Sequence, residues 1–321
     1  MGRQQFMKVG FLGLACLGLC ATAWGQASSQ PSSRPAAQTQ AGRVDTAYPG
    51  LASSVLTQAT LADLPKGTLL ESGSVRLTEA DLAGQMDKAQ PEVRKQLEKN
   101  GFYLLEQMAG QKLVLELARQ QTPGAGTQPS QQAQAEVVRS YFAKIVEPIK
   151  VTDAEVKEFY ENNKDMCGGA SLDSLKGQLT EYVLQQKQQA AAEEHVRTLG
   201  KRMPIQVNAA WAASQSQLAR NNPVDKARSS GKPSMVDFGA SGCRPCDMMA
   251  PILKDLEKKY EGKASILFVH VREEQVLAGR YGVQSIPTQV FFDKDGREVF
   301  RHTGFYPQAE IEKHMAKMGV Q

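Results

Sequence analysis

Two cysteines separated by two residues, Cys243-Arg244-Pro245-Cys246, are the groups in this sequence best placed to do chemistry. A short β-rich run, 234–238, precedes them, and behind them Met249, Ile252, Leu253 and Leu256 recur at helical spacing. The pair therefore sits where a strand hands over to a helix. There the first sulfur lies beside free backbone N–H groups, and those donors together with the helix dipole favour the thiolate. In such motifs the thiol pKa falls from about 8.5 into a range of roughly 3.5 to 7.5, which makes Cys243 a nucleophile at ordinary pH. Cys246, one turn further in, is shielded and suited to attack a mixed disulfide and release its product. Half of a zinc site and a permanently oxidised structural disulfide are the plainer alternatives for C-x-x-C. A closed zinc site needs four ligands, yet no second C-x-x-C or H-x-x-x-H lies nearby, His270 and His302 are isolated, and Cys167 belongs to another domain. No metal is expected, and the redox-active Cys243–Cys246 pair is the only expected redox group.

The elements that must hold this pair follow from residue 232 onward. The strand over 234–238 leads through the cysteines to a helix over 246–260 and a second apolar strand over 264–271. Two further strands, 288–292 and 298–302, flank Asp295-Gly296, a hairpin signal, and a helix over 307–318 closes the chain. This order describes a compact α/β domain over 232–321. Val236-Asp237-Phe238, with Asp237 six positions before Cys243, and Ser285-Ile286-Pro287-Thr288 downstream resemble the thioredoxin family in residue type, order and spacing.

That resemblance implies a thioredoxin fold and a role for each matching residue. Cys243 falls on the nucleophile, Cys246 on the resolving thiol, Asp237 on the buried acid, Pro287 on the cis-proline facing the pair, and Gly304 on the glycine beside the substrate groove. Ile286, Thr288 and Arg244 complete the set expected to meet a client chain. A carboxylate in an apolar strand has its pKa raised by desolvation, so Asp237 is expected to accept the Cys246 proton. The plainer alternative is a buried acid satisfied by hydrogen bonds. Three departures stand out. Gly239 and Gly242 occupy positions where the family usually carries Trp, and Phe268 falls where it has the lysine that partners the acid. A more open groove and an altered environment for Asp237 are expected.

Upstream, residues 67–210 read as an all-α domain. Thr78-Glu79-Ala80-Asp81 is a capping box ahead of Leu82 and Met86, and Pro91 restarts a helix. Leu104, Leu105, Met108, Lys112 and Leu115 recur at three- and four-residue spacing until Pro123-Gly124, and Val137, Val138, Tyr141, Phe142 and Ile145 form the next amphipathic run. A second capping box, Thr152-Asp153-Ala154-Glu155, opens a short helix through Tyr160. A long helix over 171–199 turns Leu172, Leu175, Leu179, Val183 and Val196 inward and is closed by Gly200 and Pro204. Residues 211–231 read as a linker or connecting helix. Leu77-Thr78-Glu79-Ala80-Asp81-Leu82, with the runs 104–118, 151–162 and 175–207, resembles the N-terminal helical domain of SurA-type periplasmic chaperones. In that family a parvulin prolyl-isomerase domain follows the Val-Thr-Asp-Ala-Glu helix. Here only 164–170 lies between it and the long helix, so isomerase activity is not expected.

The 321 residues, 41% hydrophobic, suit about two domains with tails. A net charge of +4, without a Lys/Arg block interleaved with aromatics, argues against nucleic acid as a partner. Arg3 and Lys8, the uncharged run 9–23, and the small residues Ala21, Ala23 and Gly25 read as a signal peptide over 1–25. The run is shorter than the roughly 20 residues of a membrane span. Leu17-Gly18-Leu19-Cys20 also resembles a lipoprotein signal with lipid on Cys20, except that Leu19 is bulkier than that pattern prefers. The Gln/Ser/Ala/Pro-rich stretch 26–66 reads as an unstructured tether. The expectation is a multidomain periplasmic thiol-disulfide oxidoreductase, working as a reductase or isomerase. Its clients are unfolded or cysteine-containing exported proteins, and it exchanges electrons with a membrane donor or acceptor. The alternative is a non-catalytic holdase that merely carries a thioredoxin fold. Cys167, beside Gly168-Gly169 in a turn, is expected to be dispensable, and the helical domain offers a surface for dimerisation.

Overall fold

The computed structural model describes residues 42–121 and 130–320, so the expected signal peptide, Cys20 and the first part of the tether lie outside the described residues. The remainder of the expected tether is not loose. Helix α1 (Val44–Ala47) leads into a segment where Val44, Leu51, Val55, Leu56 and Ala59 are all buried in the first hydrophobic core. Its backbone is held by the buried Glu106, whose carboxylate accepts the N–H groups of Ser53, Ser54 and Leu56 at 3.0, 2.9 and 3.0 Å. Composition misleads here because a few apolar side chains at the right spacing suffice to bury a Ser/Thr-rich segment once a distant carboxylate satisfies its backbone.

The N-terminal region is largely helical, but a small sheet corrects the all-α expectation. Strands β1 (Thr60–Ala62), β2 (Thr68–Ser72), β3 (Val75–Thr78) and β4 (Gln206–Asn208) pair in the order β1-β4-β2-β3. Strands of three to five residues are too short for a period-two signal to stand out. Thr78 ends β3 and caps α2 (Glu79–Met86): Asp81 N–H donates to Thr78 Oγ1 at 3.1 Å, and Thr78 N–H donates to Asp81 Oδ2 at 2.8 Å. Then come α3 (Pro91–Lys99), α4 (Gly101–Gln120), α5 (Gln131–Val146), α6 (Asp153–Asn162), a 3-10 turn over Lys164–Cys167, and α7 (Leu172–Arg202). Helix α4 is the spine of this core, with Phe102, Leu105, Ala109, Leu113 and Ala118 buried. Gly200 does not close α7, which runs on to Arg202. A side chain at Gly200 would run into the Val55 carbonyl, so the glycine serves a close backbone approach. Leu172, Leu175 and Leu179, at the other end of α7, are only half-buried.

The expected linker is two packed helices. Helix α8 (Ala209–Ala219) belongs to the first core, where Trp211 stacks on Phe102 with ring centroids 5.9 Å apart. Helix α9 (Pro223–Arg228) places Val224 in the core of the C-terminal domain. There β5 (Ser234–Gly239), α10 (Arg244–Lys259), β6 (Ser265–His270), α11 (Gln275–Arg280), β7 (Thr288–Phe292), β8 (Glu298–Thr303) and α12 (Gln308–Lys317) follow one another. The sheet runs β6-β5-β7-β8, with β5–β6 parallel and the other pairs antiparallel. Strand β5 is buried at every position, as a central strand covered on both faces must be. Met235 and Phe291 pack under α10 and α12, whereas Val236, Phe238, Val290 and Phe292 pack on the α9–α11 side.

Helix α11, absent from the sequence reading, joins the two domains. Val276 is buried in the first core, and its N–H donates to Gln96 Oε1 on α3 at 3.0 Å. Arg280, 4% exposed, pairs with Asp225 at 2.7 Å and donates to the carbonyls of Ala219 and Gly50, both at 2.9 Å.

Candidate active site

Cys243 is the N-cap of α10, with φ −105° and ψ 106°, and Cys246 lies on its first turn. Their Cα atoms are 5.2 Å apart and the two sulfurs form a disulfide. Among the described residues no side-chain hydrogen bond caps α10 at Cys243. Cys243 is half-buried and Cys246 only 5% exposed, so a partner thiol can reach the first sulfur and not the second. Gly242, at φ +75°, makes the turn into the motif, and a Cβ there would meet nothing within 4 Å.

Across from the cysteines the Ile286–Pro287 peptide is cis, and the Ile286 carbonyl oxygen lies 3.9 Å from Cys243 Sγ. Gly304 N–H donates to the Pro287 carbonyl at 2.8 Å, and its φ of +107° favours glycine. Ile286 and Gly304 are half-buried, and Arg244, next to Cys243 in the chain, is exposed. Thr288 does not face a client: it is buried, and its hydroxyl donates to the Ser285 carbonyl at 2.7 Å, bracing the proline turn from within. His270 also serves this region, accepting the Ser241 N–H at 3.2 Å and holding the loop before the motif.

Asp237 is fully buried on β5, where register sets Phe268 of β6 on one side and Gln289 of β7 on the other. Gln289 Nε2 donates to Asp237 Oδ1 at 2.6 Å, while Oδ2 has no hydrogen-bond partner among the described residues. Burial pushes the Asp237 carboxyl up to about 6, against the opposing pull of the Gln289 bond. Asp237 Oδ2 and Cys246 Cβ each lie 3.4 Å from the point where a Cβ on Gly239 would stand. Asp237 Oδ2 and the Cys246 side chain thus border the same space beside Gly239. That same point is 2.9 Å from Phe268 Cε2, so the groove is open at Gly242 but filled by the Phe268 ring at Gly239. Sequence reasoning did not single out Gln289. A lone amide inside the apolar run Thr288-Gln289-Val290-Phe291-Phe292 is the signal that could have found it.

Cys167 is half-buried in the 3-10 turn, donates to the Asn163 carbonyl at 3.4 Å, and has its thiol pKa raised by burial. A thiol whose pKa is raised by burial is the opposite of an activated one.

Residues 221–319 match the family described as a thioredoxin-like domain. Thioredoxin of Staphylococcus aureus is 45% identical over 83 residues, spanning 26% of this chain and 79% of that protein. The chain belongs to the thioredoxin family. Membership rests on the C-terminal domain and gives it a function of the thiol-disulfide oxidoreductase type. Among solved structures, the germline-specific thioredoxin Deadhead of Drosophila melanogaster is 34% identical, covering 28% of this chain and 83% of that one, with a TM-score of 0.26. A mutant thioredoxin from Halobacterium salinarum is 28% identical, covering 30% and 84%, with a TM-score of 0.28. The matched region of the thioredoxin domain begins ahead of β5 and takes in α9, consistent with Val224 lying in its core.

Proposed function

We propose that this protein is an exported thiol-disulfide oxidoreductase that reduces or isomerises disulfides in exported protein clients, its helical region serving as a client-holding arm. The observation that carries the reading is the division of labour at the disulfide. The accessible Cys243 lies near the Ile286 carbonyl, and the buried Cys246 shares the space beside Gly239 with Asp237 Oδ2, which has no hydrogen-bond partner among the described residues. In the reduced protein the Cys243 thiolate attacks a client disulfide, forming a mixed disulfide and expelling one client thiolate, which takes up a proton. Asp237 then accepts the Cys246 proton. The Cys246 thiolate attacks the Cys243 sulfur, the second client thiolate leaves, and the Cys243–Cys246 disulfide results. A client chain paired with the Ile286 backbone holds its sulfur in line for these steps. Net reduction consumes two electrons and two protons per client disulfide, so a membrane dithiol donor must restore the pair. Isomerisation needs no net supply.

The SurA-like order of the helices and the half-buried apolar residues of α7 support the arm. Proximity supports it further: Asn163 Oδ1, at the end of α6, lies 3.4 Å from where a Cβ on Gly304 would stand. Export rests on the charged start and apolar run of residues 1–25.

Trapping tests the assignment. Cys246→Ser is expected to accumulate client mixed disulfides on Cys243, and Cys243→Ser far fewer. The reduced wild type is expected to alkylate at Cys243 faster than at Cys246 near pH 6 to 7. Equal trapping by the two variants would overturn the division of roles, and full client protection by the doubly substituted protein would favour a holdase without redox chemistry.

A further inference from the structure

The resemblance to thioredoxins places a lysine opposite the buried acid, and this chain carries Phe268 there, in register with Asp237. The polar partner has moved to the other neighbouring strand. Gln289 is fully buried on β7, in register with Asp237, and donates to Oδ1 at 2.6 Å. Its own Oε1 has no hydrogen-bond partner among the described residues. A buried amide with an unsatisfied oxygen on a central strand is costly, and an apolar residue of the same size would pack there without that cost. We infer that Gln289 is a positioning residue for disulfide exchange, taking the place of the family's lysine by holding Asp237 Oδ1 so that Oδ2 is turned toward Cys246. The inference rests on the reading of Asp237 as the base for Cys246.

Among the described residues this amide is the only polar tether of Asp237. Phe268 faces the acid from β6, Gln289 from β7 and Cys246 from α10. His270, two positions along β6 from Phe268, is engaged with the Ser241 N–H. On α9, which also packs against β5, Asp225 is committed to Arg280 and Tyr281, and Arg228 to the Gly296 carbonyl. A neutral donor fixes the orientation of the carboxylate while stabilising its charge less than an ammonium would. Asp237 therefore remains a base suited to near-neutral pH. In the step concerned, Asp237 takes the proton of Cys246, the new thiolate displaces the client thiolate from Cys243, and the proton later passes to solvent.

Gln289→Met removes the donor at nearly constant volume, which keeps the fold intact for the test. With the full chain, single-turnover reaction with a disulfide-bonded peptide separates formation of the mixed disulfide from its release across pH 5 to 8.5. Loss of a hydrogen bond to the carboxylate is expected to move the midpoint of the release profile up by about one pH unit, slowing release about fivefold at pH 6. Formation is expected to stay unchanged. Adding Phe268→Lys to Gln289→Met is expected to bring the midpoint back down. A release profile in Gln289→Met with an unshifted midpoint, or an equal loss in formation and release, would overturn the role of Gln289. Normal release in Asp237→Asn would instead overturn the underlying reading of Asp237, so the two failures are distinguishable.

Discussion

Asp237, the proposed base, ties the proposed chemistry of this protein to its stability. Its carboxyl is raised from 3.8 to about 6 by burial, so the folded chain binds that proton more tightly than the unfolded chain does. Stability contributed by the protonated form is full below about pH 4 and is lost as pH climbs through about 6, with a cost of about 2–3 kcal/mol above that range. Asp237→Asn, which carries no charge to bury, is therefore expected to melt higher than wild type at pH 7.5 and to show little gain at pH 3.5. Thermal unfolding of the oxidised protein at the two pH values checks this, and an equal shift at both would mean the charge is not what burial penalises. The same substitution is expected to slow release of the mixed disulfide, so stability and activity move in opposite directions at one residue.

Among the elements, α7 gives the sharpest test of packing against propensity. Gly200 lies within the helix, where replacing glycine by alanine ordinarily gains about 1 kcal/mol. The close approach of the Val55 carbonyl reverses that expectation, since a Cβ would force α7 away from the segment that Glu106 holds. Gly200→Ala is therefore expected to destabilise by about 1–3 kcal/mol, the usual cost of overpacking. Denaturant midpoints measure it, and a gain in stability would show that the backbone contact is loose. Element α10 makes the complementary point. Its N-terminus is left without a side-chain cap, a small local sacrifice that keeps N–H groups available to a sulfur.

For the whole molecule, the join between domains decides whether the proposed arm and the redox site would act together. Arg280 is nearly buried and ties Asp225 of α9, the end of α8 and the Gly50 loop into one cluster, while Tyr281 donates to the same Asp225 at 2.9 Å. A cluster of this kind fixes orientation, unlike a flexible linker, whose benefit would be effective concentration alone. Arg280→Ala leaves Asp225 short of its main partner and is expected to cost about 3–5 kcal/mol. Calorimetry should then resolve two unfolding transitions in place of one. Disulfide exchange with a small substrate is expected to persist, while the rate on an unfolded protein client falls. An unchanged rate on the unfolded client would mean that the arm acts without a fixed orientation.

The redox motif, its strand-to-helix setting and the order of the thioredoxin elements other than α9 and α11 were legible in the sequence, because each depends on residues close together in the chain. The capping boxes at Thr78 and Thr152 were legible for the same reason, since a side chain bonding a backbone group three residues away needs no partner from elsewhere. Tertiary structure alone decided what depends on distant neighbours. Glu106 holds a segment some fifty residues earlier in the chain, which turns part of an apparent tether into core. Strand β4 pairs with β1 and β2 from the far end of the helical region. Gln289 becomes the partner of Asp237 only because two strands lie side by side in one register. Local sequence carries propensity and pattern, whereas the partner of a buried polar group is chosen by whichever element the fold brings against it.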